Sequence, residues 1–262
     1  MRRVPSRVAT SAVIAVCGAL AVPATGAART ETAALEHALR AGGFYTGSDA
    51  TAAYAAPARP LLGRRVLRRG ARGWDVAELQ LALAWQGFPS NMIDGRFGVR
   101  VRRALARYQR SVGLRGDGVA GPATIASLRR QPPSSPIPLV WPLLAPVGDG
   151  FGPRGARFHE GIDLVTSFGT QVIAAAPGRV TWAGPRAGGW GILVTLAHGR
   201  GVRTMYAHLS VAGVKVGQWV AGGTVLGRVG ATGDATGPHL HFEVRVGNAA
   251  VDPLDVLVPL VP

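Results

Sequence analysis

Five of the six histidines fall between residues 159 and 241, among glycines and β-branched residues. His239-Leu240-His241 is followed by Phe242-Glu243-Val244. In an extended strand, residues two apart project to the same face. Both imidazoles can therefore converge on one point while Leu240 and Phe242 turn to a core. Upstream, His159-Glu160-Gly161-Ile162-Asp163 places an imidazole and a carboxylate four residues apart around a glycine, within reach of one ion from a turn or irregular loop. A catalytic zinc usually takes three nitrogen or oxygen donors from the protein and keeps one position open. Two histidines and an aspartate meet that count. His208, in Met205-Tyr206-Ala207-His208-Leu209, ends a further strand and can face the same cleft. Each motif alone is a weak signal, and their coincidence in one stretch of about 120 residues carries the weight. His198, beside Gly199-Arg200-Gly201, reads as a polar residue at a strand end, and His37 as a solvated helix residue. Glu243 shares a face with His241. It reads first as an ion-pair partner for an arginine, and second as a group that orients a donor imidazole.

These residues need a scaffold, and residues 139–257 read as a mostly antiparallel β domain. Short runs rich in Val, Ile, Thr, Trp and Tyr (171–174, 179–183, 192–197, 203–208, 224–229 and 239–246) alternate with glycine turns. Residues 129–138, Arg-Arg-Gln-Pro-Pro-Ser-Ser-Pro-Ile-Pro, read as a semi-extended linker. Residues 66–128 change to helical periodicity. Asp75 with Glu78 resembles a capping box. Val76, Leu79 and Leu83 share one face, Val101, Leu105, Tyr108 and Val112 line a second helix, and Pro122 opens a third. Two Asp-Gly-x-x-Gly turns, at Asp94 and Asp117, join them. The expected fold class is therefore an α+β multidomain chain, a small three-helix module followed by the β domain. Residues 29–65 read as a spacer of unknown role.

The first 28 residues follow another logic. Arg2, Arg3 and Arg7 precede an apolar run over residues 8–22, and small residues follow at 24–28. This is the tripartite pattern of a secretory signal peptide, with cleavage expected near Ala28, and the run is too short for a membrane span. The expected mature protein is secreted, with no membrane attachment. The lone cysteine, Cys17, lies inside the apolar run, which leaves no disulfide or thiolate chemistry to the mature chain. The formal net charge is +15, and of 29 basic residues only Lys215 is a lysine. Such a balance reflects arginine-rich coding or attraction to a polyanion. The arginines are scattered and form no nucleic-acid-binding motif, so no nucleic acid partner is expected.

Residues 148–253 resemble the M23 metallopeptidases, the lysostaphin-like peptidoglycan endopeptidases. The matching stretches are Phe151-Gly152-Pro153-Arg154, Phe158-His159-Glu160-Gly161-Ile162-Asp163-Leu164, Ala176-Pro177-Gly178-Arg179-Val180, Tyr206-Ala207-His208-Leu209-Ser210, Gly230-Ala231-Thr232-Gly233, and Gly237-Pro238-His239-Leu240-His241-Phe242-Glu243. The resemblance implies one zinc per chain, held by His159, Asp163 and His241, with His208 and His239 as catalytic histidines. Residues 66–128 resemble the peptidoglycan-binding-domain-1 family through Val76-Ala77-Glu78-Leu79-Gln80, Asp94-Gly95-Arg96-Phe97-Gly98, Tyr108-Gln109, Gly113-Leu114 and Asp117-Gly118-Val119-Ala120-Gly121-Pro122. Together the two resemblances imply a wall-associated zinc endopeptidase that hydrolyses peptide bonds in peptidoglycan stem peptides or cross-links. Other anionic wall polymers are expected as further partners. The alternative is a non-enzymatic relative that activates another wall hydrolase.

Overall fold

The computed structural model describes residues 62–130, 134–154 and 157–258. The expected signal peptide, Cys17, His37 and most of the spacer lie outside them. Among the described residues no helix is long and apolar enough to cross a membrane.

Three helices form the N-terminal part: α1 (Trp74–Trp85), α2 (Val99–Ser111) and α3 (Pro122–Leu128). Their apolar faces meet in a core that includes Leu67, Val76, Leu79, Phe97, Leu105 and Tyr108. Leu62, on the spacer side of the expected boundary, is buried in the same core. The capping-box expectation is corrected. The N-cap of α1 is Gly73, and no side chain caps the helix. Asp75 instead binds Arg65 at 2.6 Å, and Glu78 accepts from the Trp74 indole and the Leu62 amide. Val112 is not part of α2, which ends at Ser111, and it stands 39% exposed.

The two Asp-Gly turns share one device. Buried Gln80 on α1 accepts from the Asp94 and Gly95 amides and donates to Asp94 Oδ1. Buried Gln109 on α2 accepts from the Gly118 amide and donates to Asp117 Oδ1 and the Val119 carbonyl. An amide side chain carries both donor and acceptor, so one glutamine can satisfy both polarities of an inward-facing turn. Gly98 and Gly121 then serve as N-caps of the helices that follow.

The C-terminal part is built on eleven strands: β1 (Gly152–Arg154), β2 (Arg157–His159), β3 (Ile162–Val165), β4 (Gln171–Ile173), β5 (Gly178–Arg186), β6 (Gly191–Ala197), β7 (Val202–Ala212), β8 (Trp219–Val220), β9 (Val225–Val229), β10 (His239–Val246) and β11 (Ala249–Val251). Nine form one sheet, in which β11-β10-β7-β6-β5-β8 is the main path, β3 pairs with β10, and β9 joins β4 to β7. Every strand pairing is antiparallel, as the glycine-punctuated β runs predict. β1 and β2 form a separate two-stranded ladder. The core lies on the side of the sheet to which Leu240, Phe242 and Val244 turn, all fully buried. One expectation about local structure is corrected: His159 and Asp163 lie on strands β2 and β3, not in an irregular loop.

Candidate metal centre

Register brings the donors together. Asp163 stands directly opposite His241 in the β3–β10 ladder. Facing residues on neighbouring strands hold their Cβ atoms only ~5 Å apart, so a short carboxylate reaches the imidazole. His159 ends β2, and Gly161 joins it to β3 where the chain passes against β10. A Cβ at Gly161 would lie 2.3 Å from the Phe242 carbonyl oxygen, so only glycine permits the approach.

His159 Nε2, His241 Nδ1 and Asp163 Oδ1 converge. The separations are 2.9 Å between the two nitrogens, 2.9 Å from His241 to Asp163 and 3.2 Å from His159 to Asp163. Among the described residues these three form a cluster able to hold a metal ion. Tetrahedral zinc with bonds near 2.0 Å would set its donors about 3.3 Å apart, so the donor set fits a small cation with little movement. The protonation states support the fit. His159 Nδ1 donates to the Gly150 carbonyl at 2.8 Å, and His241 Nε2 donates to Glu243 at 3.1 Å. A neutral ring keeps its other nitrogen as a lone-pair donor toward the same point as Asp163 Oδ1, and a cation held there would replace the protons that these nitrogens otherwise share with the carboxylate. Burial opposes a charge on His241, but Asp163 and Glu243 outweigh it and push its pKa up to about 9. Burial likewise opposes the Asp163 anion, yet hydrogen bonds from His159 and His241 hold its carboxyl far below the usual range.

A second layer fixes these donors. Arg154 holds Asp163 Oδ2 at 2.6 Å and also binds Asp149 at 2.9 Å, leaving Oδ1 for the imidazoles. Glu243 serves both roles considered for it. It accepts from His241, and its other oxygen takes Arg245 at 2.7 Å. Arg245 continues to Glu160 at 2.6 Å. Burial works against the Glu243 anion, but His241 and Arg245 together hold its carboxyl below the ordinary value.

His208 and His239 face each other across the cleft, with ring centroids 4.8 Å apart. His208 owes its place to a bulge. In the β6–β7 ladder Ile192 pairs with Leu209 and Val194 with Tyr206, so Ala207 and His208 oppose one residue. A bulge of this kind re-aims a side chain, and His208 has a left-handed φ of 60°. Its Nδ1 donates to the Thr232 carbonyl at 2.7 Å. Burial lowers the His208 pKa despite that bond, which favours the neutral ring at pH 7. His239 Nδ1 donates to the Gly237 carbonyl at 2.9 Å, and its Nε2 stands 3.8 Å from Asp163 Oδ1. All five expected site residues line one open cleft of roughly 440 Å³, with Trp190 and Asp234 on its walls.

His198 does not join this cleft; it directly follows β6, at a strand end as expected, but is buried there. It is 3% exposed, and it bridges the Pro177 carbonyl and Thr204, which in turn donates to Tyr206. Burial lowers its pKa. The sequence reading missed Arg154, Arg245 and the carbonyls of Gly150, Thr232 and Gly237. The Arg154 and Glu160 positions lie inside the quoted motifs, but nothing in their spacing assigns partners.

An antiparallel β domain presenting two imidazoles and a carboxylate to one point of a cleft is the architecture of a metallopeptidase-like centre. Residues 157–253 match the profile of peptidase family M23, and the chain belongs to that family. Residues 72–128 match a putative peptidoglycan binding domain, so the M23 domain is preceded by such a module. The chain is 48% identical over 103 residues to the DD-carboxypeptidase/endopeptidase Mpg of Neisseria meningitidis serogroup B, covering 39% of this chain and 24% of that protein. It is 38% identical over 119 residues to lysostaphin of Staphylococcus staphylolyticus, covering 42% of this chain and 25% of that protein. It thus spans about a quarter of the length of these curated relatives. Among solved structures, the catalytic domain of lysostaphin from Staphylococcus simulans matches with 37% identity and a TM-score of 0.41, over 42% of this chain and 90% of that one.

Proposed function

We propose that the protein is a secreted zinc endopeptidase that hydrolyses peptide bonds in the stem peptides or cross-links of bacterial peptidoglycan, directed to the wall by its helical module. The observation that carries this reading is the convergence of His159 Nε2, His241 Nδ1 and Asp163 Oδ1 within hydrogen-bond distance of one another. His159, Asp163 and His241 would hold the zinc. When bound, zinc supplies Lewis acidity toward the scissile carbonyl and lowers the pKa of water toward ~7. The rest belongs to the chain. With Nδ1 tied to a backbone carbonyl, His208 and His239 each keep Nε2 for the cleft. One accepts the proton of the attacking water and returns it to the leaving amine, while the other, protonated, donates to the developing oxyanion. Trp190, whose ring lies 5.7 Å from that of His241, forms one wall of the cleft.

Anionic wall polymers are a second proposed partner. Residues 62–130 hold 14 arginines and four acids, a net charge of 14 − 4 = +10. The four acids have hydrogen-bond partners within the module. Arg100, Arg103, Arg107 and Arg110 are exposed and recur at helical spacing along one face of α2. Neighbouring like charges destabilise a helix, so this stripe makes physical sense as a surface for a polyanion.

Mass spectrometry of isolated sacculi digested by the zinc-loaded chain is the test. New peptide amino and carboxyl termini are the expected products. New reducing sugar ends without new peptide termini would refute the peptidase reading.

A further inference from the structure

The helical module and the β domain meet at an aromatic contact beside the metal donors. Trp85, the last residue of α1, meets Phe158 edge-on with centroids 5.3 Å apart, and meets Phe151 at 5.9 Å. The two phenylalanines are themselves 5.0 Å apart and nearly perpendicular. Such pairs add attraction beyond the area they bury. Phe158 packs against a cluster that is otherwise entirely of the module: Trp74, Ala77, Leu81, Ile93 and Trp85.

The positions of the two phenylalanines matter. Phe158 immediately precedes the donor His159. Phe151 immediately follows Gly150, whose carbonyl fixes the His159 ring. Trp85 therefore touches the chain neighbours of both groups that set the imidazole's aim. The ladder that joins them is short: β1 and β2 pair through three residue pairs, one of them Gly152 with His159, and neither strand belongs to the main sheet. A two-stranded hairpin has little stability of its own, so its conformation depends on what covers it. The end of α1 is also fixed at a second point. Ala250 of β11 donates to the Gly87 carbonyl at 3.2 Å, and Ala249 is buried in the module core. At φ +79°, with the Ala250 backbone 2.4 Å from a would-be Cβ, position 87 admits only glycine without a shift.

We propose that Trp85 is a positioning residue of the metal centre: the wall-binding module also clamps the hairpin that aims His159. This rests on the reading of His159 as a zinc donor. A module acting only as a tether raises local concentration and leaves the site unchanged. A clamp alters metal affinity and turnover of a substrate too small to engage the module.

The full chain carrying Trp85→Ala or Trp85→Phe is compared with wild type for three properties. These are the zinc dissociation constant by chelator competition, kcat and KM on a short soluble stem peptide, and sedimentation with sacculi. Trp85→Ala is expected to weaken zinc binding about tenfold, the scale of other losses of donor orientation. It is also expected to lower kcat more than it raises KM, and to sediment as wild type does. Trp85→Phe, which keeps an aromatic ring, is expected to recover most of both. Phe158→Ala reports the same contact from the β-domain side and should weaken zinc alike, even where Trp85→Ala disturbs the module. Zinc affinity within twofold of wild type in both alanine variants would overturn the proposal. The zinc measurement requires no turnover, so it separates this inference from the question of which bond is cut.

Discussion

Each of the four imidazoles in the cleft has one nitrogen tied to an acceptor and the other turned to the reaction space. Three acceptors are backbone carbonyls, of Gly150, Thr232 and Gly237, and the fourth is Glu243. A carbonyl oxygen can only accept, so the tautomer is chosen by the fold before any ligand arrives. On the proposed function, the difference between metal donors and proton carriers is one of distance. His241 Nδ1 lies 2.9 Å from Asp163 Oδ1 and His239 Nε2 lies 3.8 Å from it. His241→Ala is expected to lose both zinc and activity. His208→Ala is expected to lose activity by about 100-fold or more while keeping most of its zinc. Zinc content by atomic absorption on the two purified variants checks this, and equal loss in both would refute the division of roles. The shared face of His239 and His241 was legible from a period of two. Their separation into roles was not, because it depends on carbonyls supplied by loops remote in sequence. The resemblance to a known family supplied it instead.

Elements differ in how clearly they announce themselves. The long strands β5, β6, β7 and β10 carry enough alternation to be read directly. β1, β2, β3, β8 and β11 run two to four residues, too short for any periodicity to register. The Asp-Gly turns were visible as turn chemistry, but the glutamines beneath them looked like ordinary helix residues. Gln80 and Gln109 are each 1–2% exposed, and no hydrophobic pattern marks a buried amide. Replacing Gln109 by leucine would strand the Gly118 amide and remove the donor shared by Asp117 Oδ1, Thr124 Oγ1 and the Val119 carbonyl, of which the last keeps the Gly121 amide. Each unsatisfied group costs about 1–3 kcal/mol, so the expected loss is about 2–4 kcal/mol. Urea unfolding of the full chain, read as a lower midpoint at unchanged slope, checks it. A shift corresponding to less than about 0.5 kcal/mol would mean that the turn holds itself. The capping box failed for a related reason. Asp75 and Glu78 have the right spacing, but the chain folds back so that Arg65 and Leu62 claim them first.

At the scale of the molecule, the change from helical to alternating periodicity separated the two halves in sequence. How they meet was hidden, since Trp85, Phe151 and Phe158 are unremarkable apolar residues until the fold brings them together. Charge is the other property of the whole. If the basic surface of the module takes part in wall binding, as proposed, that binding weakens with ionic strength, because exposed charges are screened over about 10 Å at 0.1 M salt. Sedimentation with sacculi is expected to fall steeply between about 50 and 200 mM salt. The double change Arg103→Glu with Arg107→Glu should flatten that fall, and an unaltered salt profile would show that the α2 stripe takes no part.

The bulge at His208 reaches further than the aim of one ring. A left-handed backbone costs a histidine about 1 kcal/mol that glycine would not incur and asparagine would largely avoid. At φ 60° the fold itself prefers a different residue at this position. On the proposed function, histidine there serves chemistry against the grain of folding. A lineage released from the need for turnover would drift toward glycine or asparagine at position 208, shedding catalysis while its architecture became more secure.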